Sequence, residues 1–251
     1  MEKQFWGQGL QFLREKRKRL KKVRYYIIVD QTYDSYTGKL LKKEKKVKEK
    51  LKKGKKLKEK QRLTEYEQDI LSYIHKYKPK KGDTGSYKYL VFAIVYGNKR
   101  KVLRLKAIKK KEDYKQFIIQ TLEKLRKEIG FECVLFDRGF YDGLFVEDLK
   151  KHKIPFILRA RINKTMRVEY GFYVEWKRYN DFEIGESKAK GDLVLGVDYT
   201  DSKRTKWAFI TNMEFDNLYD VRIIYKKDGI LKISLKLQTE YSLGLKQIIQ
   251  L

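Results

Sequence analysis

The sequence predicts an α/β protein in which helices flank a mixed β-sheet. Runs of β-branched and aromatic residues, typical of strands, alternate with amphipathic segments of helical period. Two of the runs, Tyr87 to Tyr96 and Val102 to Ile108, are joined by Gly97-Asn98, which indicates an antiparallel hairpin. A strand, a helix and a further strand follow from Cys133 onward, and that order is typical of parallel neighbours. The sheet is therefore expected to contain both kinds of pairing.

The first half of the chain predicts a lead segment, a buried strand and a basic insertion. Residues 1–22 combine aromatic and basic side chains, which favours a short helix or arm. The apolar run from Val23 to Val29 predicts a buried strand that ends at Asp30. We assign residues 39–86 to an insertion, because thirteen lysines lie between Lys39 and Lys60 and too few apolar residues remain for a core-facing helix.

The second half predicts the helices and strands that complete the sheet. Glu112 to Ile129 has apolar residues on one helical face and Gly130 as a stop. Cys133 to Phe136 is a second apolar strand, and it ends at Asp137. Behind it we expect a helix from Tyr141 to Lys151, a strand from Ile154 to Arg159, strands within 165–180 and 192–213, and a last helix from Asp216 to Lys227.

Composition restricts the class of partner. Lys and Arg number 61 against 33 Asp and Glu, a net charge of +28 that favours a polyanion, and nucleic acid above all. The single cysteine, Cys133, excludes an intramolecular disulfide and a thiolate zinc cluster. No apolar run reaches the length of a membrane-spanning helix. We therefore expect a cytoplasmic protein with no membrane partner, associated with the nucleoid when it is bound to DNA.

Aspartates at the ends of buried strands are the candidate chemical groups. Two carboxylates on adjacent strands can chelate Mg²⁺ or Mn²⁺, and such ions stabilise the oxygens of a phosphodiester under attack. Asp30 and Asp137 are the pair that we favour. Asp198 ends an apolar run in the same way, so the pattern alone does not select among the three. Each of them also fits a turn residue that ends a strand.

Three segments resemble the DDE transposases of insertion sequences, in the insertion-sequence 4 group. They are Ile28-Val-Asp30-Gln-Thr, Leu135-Phe-Asp137-Arg-Gly-Phe140, and Ile210-Thr-Asn-Met213 followed by Tyr219 and Tyr225. The resemblance covers Val23 to Lys227, and Asp-Arg-Gly-Phe is its most specific part. It implies an RNase H-like core with one Asp on the first strand, one on the fourth, and a Glu on a late helix within a Tyr-x2-Arg-x3-Glu signature.

The resemblance also implies an activity and a set of roles. Water, and then the freed 3′ hydroxyl, attacks a phosphodiester at the transposon end, and Asp30 and Asp137 hold Mg²⁺ or Mn²⁺. The expected partners are transposon ends, target DNA and a second copy of the chain as a homodimer. Arg138 and Tyr225 are expected near the DNA backbone. The basic insertion is expected to contact phosphates in a sequence-independent, salt-sensitive manner through Lys42, Lys43, Lys52 and Lys53.

The chain departs from this pattern after Lys227. Asp228 stands at the place of the signature Arg, and Lys232 at the place of the Glu. With A+T-rich codons, a shift of one base after Lys227 encodes Arg-Trp-Asn-Ile-Glu, which restores the signature. We therefore expect residues 228–251 to be out of frame, this copy to lack its third carboxylate, and a helical DNA-binding part upstream of Asp30 to be lost or separately encoded.

Three alternatives remain open at this point. In the first, the residues after Lys227 are in frame and are a genuine divergent ending. In another, the protein is an RNase H-like nuclease that uses Asp198 as the third metal ligand. In the last, it is a catalytically dead remnant that binds DNA.

Overall fold

The structure is a computed structural model of most of the chain. It describes residues 7–9, 11, 12, 14, 15, 25–54, 56–58, 62–96, 99–164, 166–173, 175–198, 200, 202 and 204–227. The predicted Gly97-Asn98 turn, the tail 228–251 and most of the lead segment lie outside the described residues. In the described part of the lead segment, Phe12 packs 6.3 Å from the ring of Tyr96, and Arg14 forms a 2.9 Å ion pair with Glu128.

Nine strands form a single mixed sheet within the described residues. β1 lies inside the sheet, and its apolar residues are buried on both faces. The bounds are β1 Tyr25–Tyr36, β2 Ile74–His75, β3 Gly85–Tyr96, β4 Lys99–Ala107, β5 Cys133–Phe136, β6 Phe156–Arg159, β7 Lys177–Ile184, β8 Ala189–Asp198 and β9 Thr205–Thr211.

Strand order confirms the predicted α/β class with both kinds of pairing. The order is β2-β3-β1-β5-β6-β9-β8-β7, with β4 also paired to β3. β1 runs antiparallel to β3 and parallel to β5, so Ile28 lies opposite Ala93 on one side and Leu135 on the other. This arrangement is consistent with an RNase H-like sheet. When the two-residue β2 is left aside, Asp30 lies on the first strand and Asp137 directly follows the fourth.

Five helices are assigned bounds in the described part of the chain. They are α1 Leu40–Lys52, α2 Glu65–Tyr73, α3 Lys115–Ile129, α4 Gly143–Lys151 and α5 Tyr219–Lys227. α3 buries Ile118, Leu122 and Leu125 at helical spacing, and each such side chain contributes about 1.5–3 kcal/mol of burial free energy. Gly130 ends α3 at φ 56°, a left-handed conformation that favours glycine. None of the described helices is long and apolar enough to cross a membrane.

The helices cover the two faces of the sheet unequally. α3 and α4 pack on one face, where Val29 and Phe136 join their apolar residues. α5 packs on the other face through Val221 and Tyr225, against Ile28 and Leu135. Because side chains alternate along a strand, the residues that follow Val29 and Phe136 belong to the α5 face.

The basic insertion is helical at its lysine-rich end. α1 has no buried residue. α2 is better anchored, because Thr64 and Glu67 form a reciprocal capping box and Leu71 is buried. Between β1 and β3, residues 39–86 thus contain one exposed basic helix and one helix that contributes to the core.

Several predicted boundaries differ from those in the structure. α5 begins at Tyr219 rather than Asp216, because the side chain of Asn217 accepts the N–H of Tyr219 at 3.0 Å. Residues 166–170 form one π-helical turn, so β7 begins later than the predicted strand. The region 192–213, predicted to hold strand structure, contains most of β8, which begins at Ala189, and all of β9. α4 begins after a 3₁₀ turn, where Asp142 accepts the N–H of Phe145 at 3.0 Å.

Candidate active site

Asp30 and Asp137 lie side by side where β5 ends. The predicted end of the first strand at Asp30 is wrong, because β1 stays paired with β3 as far as Tyr36. Val29 is the partner of Phe136 in the parallel pairing of β1 and β5, and each aspartate is the next residue. Neighbouring strands lie about 4.8 Å apart, and in-register residues of parallel strands point to the same face. Both carboxyl groups therefore occupy the α5 face, within reach of a shared cation.

Asp30 is the buried member of this carboxylate pair. Asp30 is only 7% exposed to solvent, and one of its carboxylate oxygens accepts a hydrogen bond from the N–H of Gln31 at 2.7 Å. Burial raises the pKa of Asp30 to about 7, and the charge of Asp137 adds to the increase, while the Gln31 hydrogen bond opposes it. A cation bound between the two carboxyl groups would favour the ionised form of Asp30, so the residues present fit a divalent metal ion.

Tyr225 lies beneath the carboxylate pair. Tyr225 is 2% exposed to solvent. The centroid of its ring lies 5.1 Å from that of Phe209 and 6.0 Å from that of Trp207. Its hydroxyl reaches the carbonyl of Phe136 at 3.4 Å. Burial first, and the charge of Asp137 second, raise the pKa of this hydroxyl well above 10. The side chain of Tyr225 is therefore covered in this structure, and its predicted contact with the DNA backbone stays a prediction.

A basic cleft of about 630 Å³ opens beside Asp137. The guanidinium of Arg159 lies 4.6 Å from the centroid of the Trp207 ring, and Arg161 donates to the carbonyl of Arg138 at 3.3 Å. Among the described residues that line this cleft, Asp137 is the only acid, and the cations are Arg138, Arg159, Arg161, Arg167 and Lys206.

Sequence reasoning found one of these five cations and missed four. Arg138 was predicted near DNA, and it lines the basic cleft. A signal for Arg159 existed, because it ends the next apolar strand. Leu158 pairs with Phe136, so Arg159 is level with Asp137 on the neighbouring strand. Arg167 and Lys206 had no comparable signal, because they come from a turn and from β9, which the sequence does not place beside β6.

Asp198 is held away from the carboxylate pair. Its carboxylate is buried and forms an ion pair with Arg222 of α5, with Lys226 Nζ 3.7 Å away, and it accepts the Thr200 hydroxyl at 2.7 Å. β9, β6 and β5 lie between β8, which carries Asp198, and β1. Asp198 does not join the pair as a third ligand.

The position of α5 follows from these contacts. Arg222, in its first half, is fixed to Asp198 at the end of β8. Tyr225, one turn later, reaches the carbonyl of Phe136 at the end of β5. α5 therefore lies over the sheet between the ends of β8 and β5, with Lys226 also near Asp198.

The predicted DNA-binding lysines of the insertion are not equivalent. Lys42 is exposed on α1, and Lys52 and Lys53 are exposed at its end. Lys43 is partly buried, and its ammonium lies 2.7 Å from the Glu67 carboxylate. This ion pair offsets its charge, so Lys43 is the least suited of the four to contact a phosphate.

No known protein family and no curated protein matches the chain. Within the described residues, no three His, Cys, Asp or Glu side chains come together as a metal-binding group. Function is therefore inferred from the carboxylate pair, the basic cleft and the position of α5.

Proposed function

We propose that the chain is a DNA transposase of the DDE type, built for metal-dependent cleavage and strand transfer at insertion-sequence ends, and that this copy does not complete the reaction. The observation that carries the proposal is the carboxylate pair of Asp30 and Asp137, where β5 ends beside the basic cleft. Hard carboxylate oxygens next to converging cations suit a phosphodiester and a divalent metal ion.

Asp30 and Asp137 are the residues that would hold Mg²⁺ or Mn²⁺. A bound divalent ion would supply Lewis-acid stabilisation of the charge on the phosphodiester oxygens. The protein contributes the parallel pairing of β1 and β5, which sets the spacing of the two carboxyl groups. It also contributes the buried surroundings that raise the pKa of Asp30, so the pair is suited to bind a cation rather than to stay ionised alone.

The basic cleft accounts for substrate binding in this proposal. Guanidinium groups form paired hydrogen bonds with phosphate oxygens, and four of the five cations that line the cleft are arginines. The cleft begins at Asp137, so a backbone bound in it passes the carboxylate pair. The net charge of +28 extends the same attraction over the whole surface.

The position of α5 supports a third carboxylate in the shifted frame. In that frame the signature Arg and Glu fall three and seven residues after Tyr225, on the same side of a continuous helix. Tyr225 already reaches the carbonyl of Phe136 at the end of β5, so a Glu on the same side of a continued helix is our proposed third carboxylate.

The two rival functions differ in what the structure offers them. The nuclease that uses Asp198 lacks support, because Asp198 is paired with Arg222 and separated from β1 by three strands. The DNA-binding remnant uses the same basic cleft and describes what the present chain is expected to do. The two hypotheses differ in one respect: if the protein is only a DNA-binding remnant, a chain with the restored signature would not cleave DNA.

The test compares the present chain with a restored version. That version keeps the chain up to Lys227 and continues with Arg-Trp-Asn-Ile-Glu-Asn-Ile-Phe-Lys. Both are incubated, with Mg²⁺ or Mn²⁺, with a supercoiled plasmid that carries the DNA flanking the gene. We expect cleavage and strand transfer from the restored version alone. The same version with Asp137→Asn is the matched control and is expected to be inactive, because it loses one of the two carboxylates of the pair.

Two results would contradict the proposal. Cleavage by the unmodified chain with Mg²⁺ that survives the loss of Glu214 and Glu240 would show that no restored carboxylate is needed. Cleavage by the restored version that persists with Asp137→Asn would show that the carboxylate pair is not the active site.

A further inference from the structure

A group of tyrosines surrounds one lysine on the face of the sheet opposite the carboxylate pair. Tyr33 of β1 is the cross-strand partner of Lys88 of β3. The ring of Tyr33 lies 4.6 Å from that of Tyr77, and Lys88 Nζ lies 4.8 Å from the centroid of Tyr114. We call Tyr33, Tyr77, Lys88 and Tyr114 the tyrosine surface.

The tyrosine surface is open to a ligand. Tyr77 is 57% exposed, although one side of its ring contacts Tyr33. β5 ends at Phe136, and β1 continues to Tyr36 with only β3 paired to it over this part. The ring of Tyr77 lies beside the part of β1 that is no longer paired with β5. A planar group can stack on the face of such a ring.

Lys88 gives the tyrosine surface an uncompensated positive charge. The side chain is partly buried, and no carboxylate of the described residues forms an ion pair with it. Burial lowers the pKa of Lys88. Four exposed lysines flank Tyr77 in the sequence, namely Lys76, Lys78, Lys80 and Lys81. A bound anion would offset this charge, whereas a cationic or purely apolar ligand would leave it uncompensated.

Gln31 forms hydrogen bonds to both the tyrosine surface and the carboxylate pair. Its backbone N–H donates to Asp30 at 2.7 Å, and its side-chain amide donates to the hydroxyl of Tyr114 at 2.6 Å. Tyr33 follows Asp30 by three residues, or about 10 Å along the strand. Because side chains alternate along β1, Tyr33 lies on the face of Val29 and Asp30 on the opposite, α5 face. The tyrosine surface is therefore separate from the carboxylate pair, on the other side of the sheet.

We propose that the tyrosine surface binds an unpaired nucleotide of single-stranded DNA, with the base stacked on Tyr77 and a phosphate beside Lys88. The inference deepens the proposed function and rests on its assignment of DNA as the substrate. A base within a duplex has both faces covered by its neighbours, so stacking on a side chain selects an unpaired base. An exposed aromatic ring next to an uncompensated cation matches both parts of a nucleotide.

The test uses the full chain and a short single-stranded oligonucleotide that carries one 2-aminopurine, whose fluorescence falls when it stacks. Tyr77→Ala is expected to weaken binding by about 5- to 100-fold, the range for losing one base–aromatic stack, and to abolish the fluorescence change. Tyr77→Trp is expected to preserve both. Tyr66→Ala is the matched control, because Tyr66 is 59% exposed and lies outside the surface. Lys88→Gln is expected to lower the salt slope by about 0.7.

The outcomes separate this inference from the proposed function. Selective loss of single-strand binding in Tyr77→Ala, with duplex affinity unchanged, supports the tyrosine surface. Equal effects of Tyr77→Ala and Tyr66→Ala, while the unmodified chain still binds DNA, would overturn the inference alone. Failure of the unmodified chain to bind either duplex or single strand would overturn the inference and the proposed function together.

Discussion

Replacement of Asp30 by asparagine is expected to stabilise the protein, increasingly so as the pH rises. The raised pKa means that the folded state holds a proton on Asp30 which the unfolded state releases near 3.8. The protonated Asp30 therefore contributes its full stabilising free energy below the pKa of the unfolded state. This contribution is lost as the pH rises through about 7, the pKa in the folded state. The asparagine side chain would be neutral at every pH, and its amide oxygen can still accept the N–H of Gln31.

The size of this effect follows from the shift in pKa. A pKa of about 7 in place of 3.8 corresponds to about 4 kcal/mol of unfolding free energy above neutral pH. We expect the variant to exceed the parent by about 4 kcal/mol at about pH 8, and by about 1–2 kcal/mol at about pH 5. Because a divalent cation favours the ionised carboxylate, Mg²⁺ or Mn²⁺ is expected to narrow the difference by stabilising the parent.

Urea unfolding in the presence of a chelator, followed by tryptophan fluorescence, measures the difference. Asp34→Asn is the matched control, because Asp34 lies on the same strand and the same face but remains partly exposed. We expect a smaller gain from it. Parallel stability curves for the parent and Asp30→Asn between about pH 5 and pH 8 would refute the burial of a charged carboxyl at this position.

Three further predictions test other parts of the structure. Asp198→Asn is expected to lower the free energy of unfolding by about 3–5 kcal/mol in urea, because the buried Arg222 loses its counter-charge; a metal ligand would instead reveal itself by weaker Mn²⁺ binding with little loss of stability. Deletion of residues 42–60 is expected to reduce the salt slope of duplex binding, measured by fluorescence anisotropy between about 50 and 200 mM salt, and an unchanged slope would exclude the insertion from phosphate contact. Gly196→Ala is expected to cost about 1–3 kcal/mol and to shift the tryptophan emission, because the new Cβ would overlap the indole of Trp176; unaltered melting and emission would show that this packing is loose.

The sequence by itself determined the fold class and the candidate carboxylates. A buried strand is coded locally, by a run of apolar residues, and the first polar side chain marks the end of that run. It does not mark the end of the strand, since β1 continues past the buried Asp30 to Tyr36. Asp30 and Asp137 could therefore be selected before their proximity was known, and the apolar runs that precede them are parallel neighbours in the structure. Their roles in metal binding remain predictions. Helix ends were less well determined, because Asn217 and Asp142 act through single hydrogen bonds.

Only the tertiary structure decided between Asp198 and the other aspartates. All three end apolar runs, so local pattern cannot separate them, whereas strand order and the ion pair with Arg222 place Asp198 elsewhere. The basic cleft likewise depends on pairing between distant segments, since Arg159 and Lys206 come from strands that meet only when β6 and β9 pair. Contacts between segments far apart in sequence are set by the packing of the whole sheet, and a local pattern does not encode them.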